Sequence, residues 1–270
     1  MQRKTRWGAL LSLGALFVAV SSSAQDLGTT ARQLSPGSLK FLVYYQGINE
    51  QKLNFSPRGT TGCVDKAGNS FGCSQTGDVG GLGFGGAAIA KLLYQPWDGL
   101  QYYVFGGAGK YDLKLPAQRL TGDNPGTIFG AGVKAVVMPD TVVQPGIAVD
   151  ASVSDSRYAY NRISPGAPAV SNQINDLLVL WQYQVAVEMS HLFELQGYKV
   201  EPYGGVKWSR IQSDLNDRQA GNNTGGAQED AVPFVGLRVP VYDHEGIFVE
   251  GAFNQGEVIA GGLDMRFGSK

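Results

Sequence analysis

Hydrophobic and polar residues alternate along most of this chain. Over Leu177–Leu192 (LLVLWQYQVAVEMSHL), Trp181, Tyr183, Val185, Val187 and Met189 share one parity. Gln182, Gln184, Ala186, Glu188 and Ser190 share the other. Period two marks a strand with one apolar and one polar face. The pattern recurs and predicts ten strands. The first five are Ser38–Phe55, Asp78–Gln95, Leu100–Leu115, Thr127–Met138 and Thr141–Ser154. The second five are Asp176–Leu195, Tyr198–Gln212, Val232–Tyr242, Gly246–Gln255 and Glu257–Phe267.

The connections alternate in length. Ser56–Gly77, Pro116–Gly126, Asp155–Asn175 and Ser213–Ala231 are long; Pro96–Gly99, Pro139–Asp140, Gln196–Gly197 and Asp243–Glu245 are short. Long loops at one end and short turns at the other fit an antiparallel transmembrane β-barrel of about ten strands, within a range of about eight to twelve. The brief Gln255–Glu257 turn falls where a long loop is due. An even strand count puts both termini at the short-turn end.

Face assignment gives a barrel apolar outside and polar inside. Leu82, Phe84, Ala88, Ala90, Leu92 and Tyr94 are expected outward with Lys91 inward. Val143, Ile147, Val149 and Val153 face out against Gln144, Asp150 and Ser152. Val200, Val206 and Trp208 face out against Glu201, Tyr203, Lys207 and Ser209. In the last strands Leu237, Val239, Val249, Phe253, Leu263, Met265 and Phe267 face out. The expected lumen charges are then Lys91, Lys110, Lys134, Lys207, Arg238 and Arg266, opposed by Asp112, Asp150, Glu188, Glu201, Glu250 and Asp264. An unpaired charge in a narrow lumen is costly, so pairing is expected. Two readings stand: a structural polar core, or a charged constriction that selects small solutes. Aromatics at the strand ends read as an interfacial girdle, and Pro145, Pro202 and Pro240 as bulges at the rim.

Composition and the first residues agree with export. Arg3, Lys4 and Arg6 precede a short apolar run, Ala9–Val20, and small residues Ser22 and Ala24. This is a signal peptide, 1–24, cleaved after Ala24; the run is shorter than the ~20 residues a spanning helix needs. A short periplasmic leader, 25–37, precedes the barrel, 38–270. Net charge is −1 and there is no basic run, so no nucleic-acid partner is expected. Cys63 and Cys73 lie in one Gly-rich segment and are read as a disulfide. With no histidine near them, a metal site is not expected.

Catalytic residues are missing. The two histidines are His191 and His244, both near predicted short turns. Ser190 points to the opposite face from His191, so no Ser–His–acid arrangement forms. Gly80–Gly86 (GGLGFGG) runs into strand-like sequence instead of a helix, which removes a dinucleotide site. No enzyme activity, cofactor or metal is expected.

The C-terminal third resembles the chlamydial major outer membrane porins. Tyr203–Arg210 (YGGVKWSR) is similar to a strand of that family, Trp181–Val187 (WQYQVAV) to the strand before it, and Ala252–Phe267 to its final hairpin. The resemblance implies a porin-like integral outer-membrane protein. It also implies that Phe267 closes the last strand as the signal read by barrel-assembly machinery. The expected function is structural, or low-conductance passage of small solutes. Surface binding through the loops is the alternative, and an outer-membrane enzyme a more distant one. Expected partners are outer-membrane lipid, the assembly machinery and a second copy of the chain.

Overall fold

The computed structural model describes residues 28, 30–53, 56–58, 63–64, 70–71, 80–115, 118–165, 173–195, 197–218, 222–242, 244–253 and 256–268. Ten long strands lie among them. They are β1 (Leu39–Leu53), β2 (Gly80–Trp97), β3 (Leu100–Leu115), β4 (Gly126–Met138) and β5 (Gly146–Pro165). They continue with β6 (Gln173–Ser190), β7 (Tyr198–Asp217), β8 (Asn222–Pro240), β9 (Glu245–Phe253) and β10 (Gly256–Phe267). Each pairs antiparallel with the next. β10 pairs with β1 from Leu39↔Phe267 to Gln51↔Gly256. The sheet therefore closes on itself, which removes the open edges of an unclosed sheet. No helix occurs among the described residues.

The predicted Leu100–Leu115 strand is reproduced end to end. It enters through a two-residue turn, Asp98–Gly99, with Trp97 paired to Leu100 and Gly99 at φ 74°. Asp-Gly suits a tight hairpin because glycine takes positive φ without strain. Elsewhere the strands outrun the prediction. β5 continues to Pro165, and β7 and β8 pair as far as Asp217↔Asn222, so much of two expected loops is sheet. The expected opening of β5 is instead a turn, in which Val142 and Val143 are almost fully exposed. Nor do the prolines make bulges: Pro202 pairs with Leu237 in unbroken register. Register shifts fall at Ile48/Gln51, Leu82/Gly85, Tyr94/Trp97, Val136/Met138 and Gln173/Asp176. The shift at Leu82/Gly85 has a visible effect. Leu82 is fully buried, not outward, because a bulge changes the face of every residue beyond it.

β7 and β8 have 20 and 19 residues. At roughly 3.3 Å per residue and a tilt of about 40°, such strands rise ~50 Å, twice the ~25 Å apolar band of a membrane barrel. The exterior reflects that height. Near the terminal end, Val104, Val149, Val187, Val206, Val235 and Leu263 form an exposed apolar belt. Trp181, Tyr183 and Trp208 stand at its far side, and Tyr94, Trp97, Tyr102 and Phe267 at its near side. Beyond it the outward residues become polar: Lys110 on β3, Arg157 on β5, and Arg210 ion-paired to Glu229 at 3.2 Å.

The interior changes in the opposite sense. Toward the terminal end the inward positions carry charges and amides. Toward the loop end they carry Ile48, Leu53, Leu113, Tyr158, Leu178 and Val258, all buried in one apolar cluster. β3 and β7 pass from a membrane-type alternation to a water-soluble one without changing parity, whereas in β1 and β2 the inward parity switches at the register shifts.

Candidate functional site in the barrel lumen

The polar tier is a set of linked ion pairs on inward positions. Asp264 on β10 receives Lys40 Nζ at 2.6 Å from β1. It also accepts a fork from Arg238 on β8, Nε at 2.7 Å and Nη2 at 2.9 Å. The Nη1 of Arg238 reaches Glu201 on β7 at 3.1 Å, and Ser190 donates to the same carboxylate at 3.4 Å. Gly246 leaves room for this fork: a Cβ there would lie 2.4 Å from Asp264 Oδ1 and 2.7 Å from Arg238 Nη2. The charge-assisted fork of Arg238 clamps three strands, β7, β8 and β10, and Lys40 ties β1 to them through Asp264.

A second set lies beside it. Lys207 donates to Glu250 at 2.7 Å while its Nζ sits 4.2 Å from the centroid of the Phe234 ring. Tyr203 donates to the other Glu250 oxygen at 3.1 Å. Lys134 is ion-paired with Glu188, and both are buried. Tyr103 donates to Asp150 at 2.5 Å and carries Lys91 over its ring at 3.8 Å. The ring folds over Gly132 on β4, where a Cβ would come within 2.3 Å of it. Glycine at that position lets the tyrosine lie flat on the neighbouring strand and reach the acid.

The leader is drawn into this tier. Gly28, Thr30, Ala31 and Leu34 are buried. Gly28 donates its N–H to Glu250 at 2.8 Å, the Thr30 carbonyl accepts Lys134 at 3.2 Å, and Leu34 N–H reaches Gln95 at 2.8 Å. Gln95 and Gln101 are themselves bonded at 3.1 Å. Backbone groups of an irregular segment need partners when buried, and the lumen's side chains supply them. Gly28 sits at φ 82°, with the Phe248 ring where a Cβ would go, 2.4 Å away. Only glycine fits there without moving the ring.

Two cavities complete the picture. A pocket of about 10 Å³ lies between Asp150, Glu188, Lys207 and Glu250, too small for more than a water. A vestibule of about 1000 Å³ opens at the terminal end beside Arg238 and Arg266. Above the polar tier the inward side chains of the apolar cluster are buried.

No protein-family model matches the sequence, and no curated protein does. The fold is similar to the translocator domain of the autotransporter NalP from Neisseria meningitidis, at 10% identity and TM-score 0.50, over 87% of this chain and 90% of that one. It is also similar to the outer membrane protease OmpT from Escherichia coli, at 9% identity and TM-score 0.48, over 86% and 98% of the two chains. A third likeness is to the outer membrane protein OprG from Pseudomonas aeruginosa, at 9% and 0.42, over 89% and 100%. This chain is an integral outer-membrane β-barrel protein. The barrel end that carries both described ends of the chain then faces the periplasm, and the opposite end faces outward.

Ten of the twelve lumen charges expected from sequence do face the lumen. Lys91, Lys134, Asp150, Glu188, Glu201, Lys207, Arg238, Glu250 and Asp264 are buried there, and Arg266 lines the periplasmic vestibule. Lys110 and Asp112 do not. Lys110 is exposed on the outside of β3, and Asp112 points the same way, ion-paired with Arg119 of the short strand Gln118–Thr121. The inward residues there are Tyr111 and Leu113. Both charges lie beyond the belt, where water is outside the barrel and outward polarity costs nothing.

Lys40, Tyr103, Gln95 and Gln101 were missed as members of the network, while Tyr203, expected inward, joins it as a donor to Glu250. Lys40 had a signal: in LKFLVYY it shares parity with Leu42 and Tyr44, opposite Val43 and Tyr45. Phe267 ends β10 opposite Leu39, half exposed at the periplasmic rim. His191 faces Asp140 Oδ1 at 2.8 Å and packs edge-on against Phe193 at 4.6 Å. That pair ties two periplasmic turns together. Cys73 and residues 1–24 lie outside the described residues, so the disulfide and signal-peptide expectations are not addressed by the fold. Among the described residues no group of histidine, cysteine and acidic side chains could hold a metal ion.

Proposed function

We propose that the protein is a porin-like barrel with a sealed resting lumen, structural in role or passing small solutes at low conductance. The observation that carries this reading is the burial of the described inward side chains along the lumen: paired charges and leader on the periplasmic side, mostly apolar side chains on the outer side. Ten strands leave little free width, whereas open channels use more. The resemblance of the C-terminal third to chlamydial porins supports a porin-like class. No catalytic role is proposed.

Planar-bilayer recording of refolded protein tests the reading. The expected trace is a closed baseline with small, brief steps. A steady ohmic current from the unmodified barrel would overturn it. Removing residues 25–37 should leave conductance low, because the outer apolar tier remains. If that deletion opens a steady channel, the leader is the seal and the apolar tier is not.

A second reading draws on the height of β5 to β8. Their outer halves form a water-exposed barrel above the membrane, a surface suited to binding outside the cell. Capture of a soluble ligand by intact cells, lost when residues 214–228 are replaced by a short turn, would favour it.

A further inference from the structure

The periplasmic vestibule has a volume of about 1000 Å³, and its described lining carries more basic than acidic side chains. Arg32 from the leader, Lys199 at the start of β7, Arg238 and Arg266 line it, with Glu245 the acidic residue among the lining groups. Arg238 is committed to Asp264 and Glu201. Arg266 is different. Its Nε is buried with no hydrogen-bond partner, and Arg238 and Arg32 crowd it with like charge against the weaker pull of the Asp264 and Glu201 carboxylates. Buried guanidinium donors left unpartnered are costly, so this position is destabilised unless an acceptor arrives. Setting Arg238 aside, Arg32, Lys199 and Arg266 against Glu245 leave an excess of about two positive charges among the described lining groups, and a concave site lined mainly by one sign of charge focuses its field on anions.

Much of the remaining wall is apolar and aromatic, beside Ser35, Ser38 and His244. Tyr198, Tyr242, Val239 and Phe267 belong to the lining, and all four also stand exposed on the outer rim of the barrel. The vestibule thus runs from the lumen mouth over the rim toward the membrane surface. A bare inorganic anion would leave most of its 1000 Å³ empty.

We propose that this vestibule binds an amphiphilic phosphate: a phosphate group held by Arg266, Arg32 and Lys199, with an apolar portion against Tyr198, Tyr242 and Phe267. A phosphate monoester carries close to two negative charges near neutral pH and a phosphodiester headgroup close to one, so either is drawn to the excess, and arginine forks fit the oxygens of both. The phosphate could belong to an anionic membrane lipid or to a soluble phosphomonoester; the chemistry at the arginines is shared.

The test uses the full mature barrel. In one arm it is refolded in nanodiscs of neutral phosphatidylcholine with and without one-tenth phosphatidylglycerol, and retained lipid is counted by native mass spectrometry. In the other arm, octyl phosphate binding to barrel in neutral detergent is measured by equilibrium dialysis. The expected result is about one phosphate ligand per barrel in at least one arm. Binding should fall at least tenfold in Arg266→Gln and severalfold in Lys199→Gln, and stay unchanged in Lys110→Gln on the far exterior. Retention of phosphatidylglycerol alone assigns the site to lipid; binding of octyl phosphate alone assigns it to a soluble ester. Lys199 is exposed at a turn and outside the ion-pair network, so its variant reports even if Arg266→Gln does not fold. Absence of binding in both arms, or binding that Lys199→Gln and Arg266→Gln leave intact, overturns the proposal.

Discussion

Within β7, the periplasmic half puts Val206 and Trp208 outside and Glu201 and Lys207 inside, while two residues beyond Trp208 the order is reversed: Arg210 is outside and Ile211 inside. β3 does the same, with Val104 outside and Gln101 inside low down, then Lys110 outside and Leu113 inside higher up. The strand's pleat never changes; what changes is the solvent around the barrel. Where lipid surrounds the sheet, apolar side chains must face out, and polar groups are left to satisfy one another within. Where water surrounds it, the hydrophobic effect runs inward as in any soluble barrel. One protein therefore contains two barrels stacked on the same strands, and their cores are held by different forces.

The strongest way to break this comparison is to unpair a charge in the inner-leaflet core. Glu188→Leu takes its carboxylate partner from buried Lys134 and leaves beside it the Thr30 carbonyl and Asp150, which stands opposite on β5. This should cost about 3–5 kcal/mol, whereas Lys134→Met with Glu188→Leu should be close to neutral. Denaturant unfolding in lipid vesicles measures both. Equal losses for the single and double variants would mean that the pair is solvated and the lower core is open to water.

The outer core should answer to volume instead. Leu178 is fully buried in the apolar cluster, and Leu178→Ala should cost about 2–5 kcal/mol by lost transfer energy and the cavity left behind. A loss below half a kcal/mol would show that this tier is wet, and the sealed lumen would fall with it. On the exterior, Val206→Arg places a cation in mid-belt and should cost about 2–4 kcal/mol. Gln212→Arg, on the same face of β7 but beyond Trp208, should cost less than about 1 kcal/mol. If the two replacements refold equally well, the belt has been placed at the wrong height.

Much of the barrel was legible because period two is a local signal. Ten strands, their order, the tight Asp98–Gly99 turn and most lumen charges all follow from alternation and turn residues. The phase reversal was not legible. Alternation reveals two faces but not which one meets lipid, and a rule fixed for Val206 and Lys207 fails for Arg210 and Ile211. The same rule made 213–231 look like a loop, since a strand with polar residues outside and few apolar ones inside does not resemble a membrane strand. Leu82 was lost to a bulge, which flips the faces beyond it without any mark in composition. The leader's burial was hidden for another reason. Its contacts are backbone groups of Gly28, Thr30 and Leu34 meeting side chains far along the chain, and no periodicity encodes that.

The smallest expected effect separates the two regions without much perturbing either. Lys91 and Lys110 were both expected in the lumen, yet Lys91 is fully buried over the Tyr103 ring and Lys110 is exposed beyond the belt. Lys110→Gln should therefore change stability by less than about half a kcal/mol, the range of ordinary surface substitutions. The chemical counterpart is sharper than the energetic one. A membrane-impermeant amine reagent applied to intact outer membranes should modify Lys110 readily and leave Lys91 untouched until the barrel is unfolded, read by mass spectrometry of peptides. Protection of Lys110 equal to that of Lys91 would return it to the lumen and erase the reversal on β3. Labelling of both would mean that water reaches the polar tier, and the periplasmic core would then be a hydrated channel lining instead of a packed network.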